Sequence, residues 1–292
     1  MTKGDFVLYA TKNARKAVIL EAATTPKPGL VDRQDSGAHR DMNFFTFLKS
    51  SNAIFNGLLK CTDAGVRFQG KDSAELMDFI RKPGMECEAS MLKATNNVNT
   101  HKGAIFSLGI LLAAAGKLYS SGSEESYYIS AGKLCGEVRA MTKGLVEKDF
   151  AGLENKRKLT HGEYLFKLYG IKGIRGEVED GFPMVREYGL PVIRGLKAKG
   201  YLSLNEIFIQ VLMNIMAHNL DTNVLARAGQ EGLEHVKERA SEFIYRGGVL
   251  KGDYRRYLQD MNKDFIKRNI SPGGTADLLA VSIFLATMEG IL

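Results

Sequence analysis

Apolar residues in this chain recur at three- and four-residue steps and almost never at two, and that regularity excludes most folds. Phe44, Phe47, Leu48, Phe55, Leu58 and Leu59 trace one helical face. Start signals sit at sensible distances. Asp72 with Glu75, Thr160 with Glu163 and Ser203 with Glu206 fit the capping-box pattern, in which side chains satisfy the orphan N–H groups of a first turn. Stop signals follow at Pro83-Gly84, Gly170 and Gly247-Gly248. Residues 190–194 are the only short extended candidate, and Pro191 demotes it. The pattern predicts an all-α chain of about ten to twelve helices with essentially no sheet.

No repeat, low-complexity tract or Pro/Gly/Ser-rich linker divides the 292 residues, so one domain over 1–292 is expected. The charged, weakly periodic stretch 143–158 reads as a long surface connection within it. Three widely spaced thiols, Cys61, Cys87 and Cys135, without a CxxC pair, suit a reduced intracellular protein with neither disulfides nor a zinc knuckle. No signal-like core opens the chain, and the apolar stretches 104–115 and 278–288 fall short of the roughly 20 residues that span a bilayer. A cytoplasmic location is the expectation. Forty Lys and Arg against 33 Asp and Glu leave a net charge of +7, which suits an anionic ligand. The basic residues are dispersed among acids and not clustered as a nucleic-acid surface requires, and no membrane partner is expected.

Four polar loops carry the chemistry. Residues 21–42, EAATTPKPGLVDRQDSGAHRDM, are stiffened by Pro26, Pro28 and Gly29. They hold Lys27, Asp32, Arg33, His39 and Asp41 in a density of mixed charge with no period. Stiff loops of mixed charge are where phosphate and metal sites are built. Residues 95–103, TNNVNTHKG, open an apolar helix. Asn99 or Thr100 would cap it, and its N–H groups with Lys102 and neighbouring His101 would form an anion site, although such residues cap many helices that bind nothing. Residues 161–183 combine Gly170, Gly173 and Gly176 with Lys172 and Arg175, and offer Glu163, Glu177, Glu179 and Asp180 as acids or bases. Residues 271–279, SPGGTADLL, pair a Ser-Pro helix start with Gly273 and Gly274, which permit close backbone approach. Asp221, with Asn223 and Arg227 nearby, adds a further polar cluster.

Taken in order, these segments resemble the triphosphoribosyl-dephospho-CoA synthase family. TPKPGLVDR with GAHRDM is the most specific stretch. NTHKGAIFSLG, the THGE…RGE…GFP segment, DTN and SPGG-x-ADLLA reinforce it, and the likeness runs from about Arg15 to the carboxyl terminus. The departures are small: Asn97 stands where the family often has Gly, Ala228 interrupts an Arg-Gly-Gly, and Thr275 replaces Ser or Ala. A fused holo-carrier-protein transferase, present in some relatives, is not expected here.

The resemblance implies an all-α fold and one reaction. The 5-triphosphoribosyl group of ATP passes to the 2′-hydroxyl of 3′-dephospho-CoA and adenine leaves. The product is the prosthetic-group precursor for citrate lyase or malonate decarboxylase, and it goes on to a holo-carrier-protein transferase. Such glycosyl transfer needs a carboxylate to take the hydroxyl proton, a proton donor near adenine, and cations for polyphosphate. Glu21, Asp41, Glu163 and Glu177 are the candidate acids and bases. Lys27, Arg33, His39, Asn99, His101, Lys102, Arg175, Arg227, Ser271, Gly273 and Gly274 are the candidates to hold ATP. Asp32, Asp41 and Asp221 are the candidate Mg²⁺ ligands, completed by substrate phosphates. The rival reading is a helical phosphohydrolase or kinase built on the same triphosphate cradle.

Overall fold

The computed structural model describes residues 2–122 and 127–292. Among them every regular element is helical, as the apolar period requires. The chain divides into two compact units. One takes Met1–Ala22, Phe44–Lys143 and Ala280–Leu292, and the other takes Ala23–Asn43 and Gly144–Leu279. Both are discontinuous, and no linker-like composition marks the crossings, so a reading of one uninterrupted domain carries no signal of this interleaving.

The first unit contains α1 (Lys3–Ala23), α2 (Phe44–Ala53), α3 (Phe55–Arg67), α4 (Leu76–Ala94), α5 (Lys102–Ser120) and α6 (Ala131–Met141). A helix apolar on every side has to be covered on every side. That is the position of α5, which packs against α3, α4 and α6 and buries Ala104, Ile105 and every residue from Ser107 to Gly116. At 19 residues α5 is long and apolar enough to cross a membrane, yet 67% of its most apolar 18-residue window is buried inside the protein, as befits a core helix. The α3–α5 crossing is close because a Cβ at Gly65 would strike the Ala113 carbonyl oxygen and one at Gly116 would strike that of Thr62.

The second unit contains α7 (Leu145–Phe150), α8 (His161–Tyr169), α9 (Gly173–Glu179), α10 (Leu190–Lys197), α11 (Leu204–His218), α12 (Thr222–Tyr245), α13 (Tyr254–Lys267) and the start of α14 (Gly273–Met288). Its core helix is α11, which buries Ile207, Phe208, Ile209, Val211, Leu212 and Met213 against α10 and α12. The expected capping boxes at Thr160–Glu163 and Ser203–Glu206 are both formed. Asp72 instead caps a single 3₁₀ turn, Ser73–Glu75.

Four expectations need correction. Pro83 does not stop a helix but lies inside α4, which buries Leu76, Met77 and Ile80 before it and Cys87 and Met91 after it. Burial on both sides outweighs the ~3 kcal/mol that an internal proline costs. Residues 190–194 are helical: Pro191 sits in the first turn of α10, where its fixed φ is already correct and its missing N–H has no partner to lose. The stretch 143–158 is not a bare connection, since α7 and a 3₁₀ turn at Leu153–Asn155 fill it. Fourteen α-helices among the described residues exceed the expected number, because α7 and α9, of 6 and 7 residues, are too short to show a period.

Candidate active site

The Pro-Gly loop after α1 is held by polar side chains from several helices of the second unit. Gly29, at φ 73°, lies so close to the Ile270 carbonyl oxygen and the Phe265 ring that no side chain fits. Its N–H donates to Asn262 Oδ1 at 2.8 Å, and Asn262 Nδ2 donates to Asp35 Oδ2 at 2.8 Å. Thr25 N donates to Asn205 Oδ1 (2.9 Å), and Asn205 Nδ2 returns a bond to Thr25 O (2.7 Å). At the far end Arg227 Nη2 donates to Ala38 O (2.7 Å) and Asn269 Oδ1 (2.6 Å), and its Nε to Asn269 O (3.0 Å). Arg227, expected at a phosphate, therefore spends one donor on the loop and two on Asn269, three of its five in all.

Asp32 is the knot of this loop. Its Oδ2 accepts from Thr25 Oγ1 and Lys27 N, both at 2.8 Å, and its Oδ1 from Gln34 N (2.6 Å) and Asp35 N (3.2 Å). Asp221 does the same work between two helix starts. As the N-cap of α12 its Oδ1 accepts from Asn223 N (2.9 Å) and Val224 N (3.4 Å), while its Oδ2 accepts from Thr275 N (2.7 Å) and Thr275 Oγ1 (2.9 Å) in the first turn of α14. A carboxylate offers about four acceptor positions, so both are full in this arrangement. Asp32 and Asp221, expected as metal ligands, here bind the loop and the two helix starts. Gly274 follows from the same contact, since a Cβ there would lie 3.2 Å from both Asp221 oxygens. Gly273 similarly faces Asn223 Nδ2, at 3.1 Å. The two glycines thus serve helix-to-helix approach.

Beside this junction stands His39. Its Nε2 lies 2.7 Å from Ser271 Oγ and its Nδ1 3.6 Å from the Asp41 carboxylate, which is 60% exposed. Burial first, and then the Arg227 charge, lower the imidazole pKa, keeping the ring neutral at physiological pH. Arg33 is exposed, whereas Lys27 is only 2% exposed. So dry a lysine is not there for solubility.

The third polar segment reaches the same neighbourhood, because a Cβ at Gly173, where α9 begins, would lie 3.2 Å from Thr222 Cγ2. Burial pushes the Glu177 carboxyl up to about 7, against the opposing bond from Met184 N (3.2 Å). Arg175 Nε pairs with Asp149 (2.8 Å) and its guanidinium lies over the Phe150 ring. Glu163 is different. It accepts Lys156 Nζ at 2.6 Å and closes its capping box with Thr160 N at 2.7 Å, and these bonds hold its carboxyl down to about 2. Fixed as an anion in a cap, Glu163 is poorly matched to proton exchange near neutrality.

The remaining expected residues belong to the first unit. Glu21 is buried on α1. Asn99 Oδ1 accepts the Lys102 N–H (3.1 Å), His101 Nδ1 lies 2.6 Å from Ser50 Oγ, and Lys102 Nζ pairs with Glu88 Oε1 at 2.6 Å. Among the described residues no group of three or more His, Cys, Asp or Glu could hold a metal ion. Asn205, Asn262 and Asn269 were illegible in sequence, since single asparagines on or beside helices carry no pattern. The positive φ of Asn269 (57°) and Asn97 (64°) shows where they stand in for glycine.

A family model described as ATP:dephospho-CoA triphosphoribosyl transferase matches residues 8–292. The chain is 36% identical over 271 residues to a 2-(5''-triphosphoribosyl)-3'-dephosphocoenzyme-A synthase of Escherichia fergusonii, covering 93% of this chain and 88% of that one. It is 40% identical over 274 residues to a Malonomonas rubra protein named "Probable 2-(5''-triphosphoribosyl)-3'-dephosphocoenzyme-A synthase", covering 92% and 84%. A structure titled "Crystal structure of putative triphosphoribosyl-dephospho-coA synthase from Archaeoglobus fulgidus" shares the fold, with a TM-score of 0.52 at 17% identity over 84% of this chain and 100% of that one. Matched along almost its whole length, the chain belongs to the ATP:dephospho-CoA triphosphoribosyl transferase family of enzymes.

Proposed function

We propose that the protein transfers the 5-triphosphoribosyl group of ATP to the 2′-hydroxyl of 3′-dephospho-CoA and releases adenine. Its product would go to a holo-carrier-protein transferase, for the acyl carrier protein of citrate lyase or malonate decarboxylase. The observation that carries this reading is the family match over residues 8–292. A new bond joins the acceptor oxygen to C1 of the ribose as the bond from C1 to adenine breaks. The hydroxyl loses a proton and departing adenine gains one. Among the candidate carboxylates, Glu177, held at about 7, is the one suited to that exchange, because transfer is most effective when the group's pKa lies near the working pH. His39, neutral and beside Ser271, is placed to orient a hydroxyl. Lys27 and Arg33 supply charge for the triphosphate, with Arg175 as a further cation. Ser271 would add a hydroxyl at the same place.

Magnesium, as we read it, arrives with ATP. With Asp32 and Asp221 filled, the donor set fits an ion carried mainly by phosphates and water, with Asp41 as the carboxylate open to it. Its contribution when bound is to neutralise triphosphate charge. The test is product analysis. With ATP, Mg²⁺ and dephospho-CoA, adenine should appear mole for mole with the dephospho-CoA consumed, and ADP or phosphate in its place would overturn the reading.

A further inference from the structure

The second unit contains a cavity of about 970 Å³ that none of the residues discussed above accounts for. It lies between α8, the segment leading into it, and the first half of α12, at the upper end of the roughly 300–1,000 Å³ typical of ligand pockets. The floor is apolar. Leu165 and Leu233 are buried there, with Leu159, Ile171 and Leu225 continuing the wall. Tyr164, Tyr169 and Leu220 also line it while remaining 52%, 64% and 51% exposed, a cost in exposed apolar surface that a ligand would relieve. Arg157, Lys158 and Lys237 contribute three cations against the one carboxylate of Glu234.

A second observation falls on the same wall. Gly229 lines the cavity and breaks α12 there, with φ 67° and ψ −167°. A helix cannot close its i→i−4 ladder through such a residue, so backbone amide groups become available at the wall, beside the side-chain amide of Gln230. The cavity therefore offers apolar surface, amide partners and a positive rim. Triphosphate, which is charge throughout, has no use for a leucine floor. Of the two substrates in the proposed reaction, dephospho-CoA alone has an extended arm that alternates apolar and amide segments and joins a pyrophosphate. The first turns of α12 are shared between the two places: Asp221, Asn223 and Arg227 serve the loop and the α14 start, while Leu225, Ala226 and Gly229 line the cavity.

We infer that this cavity is the subsite for the pantetheine arm of dephospho-CoA, with the pyrophosphate at the Arg157, Lys158 and Lys237 rim; the inference rests on the proposed transfer reaction. The full-length protein tests it by calorimetric titration with dephospho-CoA, with ADP (the same molecule without its arm) and with ATP. The parent should bind dephospho-CoA at least about tenfold more tightly than ADP. Ala226→Trp, which fills the cavity from an exposed position, should abolish most of that advantage while leaving ADP and ATP affinity within about twofold. Arg157→Ala combined with Lys158→Ala should weaken dephospho-CoA by about tenfold, less so at high salt. A parent that gains nothing from the arm, an advantage intact in Ala226→Trp, or dephospho-CoA affinity unchanged in the Arg157/Lys158 double variant, overturns the subsite. A parent that binds through the arm but yields no adenine from ATP leaves the subsite standing and removes the transfer reading.

Discussion

Glu177 makes the sharpest residue-scale claim, because burial gives a carboxyl an ionisation near neutrality. The sign of the effect on stability follows from proton counting. Between 4.5 and about 7 the folded state holds a proton that the unfolded state has released, so stability falls as pH rises through that window. Above it the penalty is on the order of 3 kcal/mol, from about 1.4 kcal/mol for each pH unit between the two values. Glu177→Gln should therefore be more stable than the parent at pH 8 and nearly equal to it at pH 4, read from urea midpoints. Catalysis gives a second reading of the same group. The pH profile of adenine release should show a limb near 7 in the parent and lose it in Glu177→Gln. A limb unchanged in that variant would assign the titration to another group.

At the scale of elements, the junction between α12 and α14 is where sequence and structure meet most closely. DTN and SPGG-x-ADLLA could be read as helix starts near a ligand, but nothing in either segment shows that Asp221 grips Thr275. That contact joins residues 54 positions apart, and chain spacing holds no record of it. The same limit explains the loop. Its rigidity was legible in Pro26, Pro28 and Gly29, whereas its anchors, Asn205 and Asn262, lie on α11 and α13 and are ordinary polar positions by any local measure. Helix identity, caps and the apolar α5 were legible because they are local. Thr275→Val should remove the hydroxyl from Asp221 Oδ2 and from Asn219 Nδ2, which donates to it at 3.1 Å. Leaving buried polar groups short of partners costs about 1–3 kcal/mol, so the variant should unfold at distinctly lower urea while Thr275→Ser stays near the parent. Equal midpoints for the two would show that the hydroxyl contributes nothing to the junction.

For the whole molecule, the interleaving of the two units sets which parts of the chain depend on distant sequence. The first unit draws its core from three stretches, and the last of them is short. Within Ala280–Leu292, Ala280, Val281, Ile283, Phe284, Leu285, Ala286 and Met288 are at most 1% exposed. A large apolar side chain gains about 1.5–3 kcal/mol on burial. The five here together approach or exceed the whole stability of a typical domain, about 5–15 kcal/mol. A chain ending at Leu279 should therefore lose the folded first unit, although it keeps every residue of α1 to α6. Amide exchange is the suitable measurement, since it reads each helix separately. In the parent, α3 and α5 should be among the slowest-exchanging segments, because they are joined by glycine contacts too close for water. In the shortened chain they should exchange as an unfolded peptide does. Protection of α3 and α5 at the parent level would mean that the core of that unit closes without its carboxyl-terminal stretch.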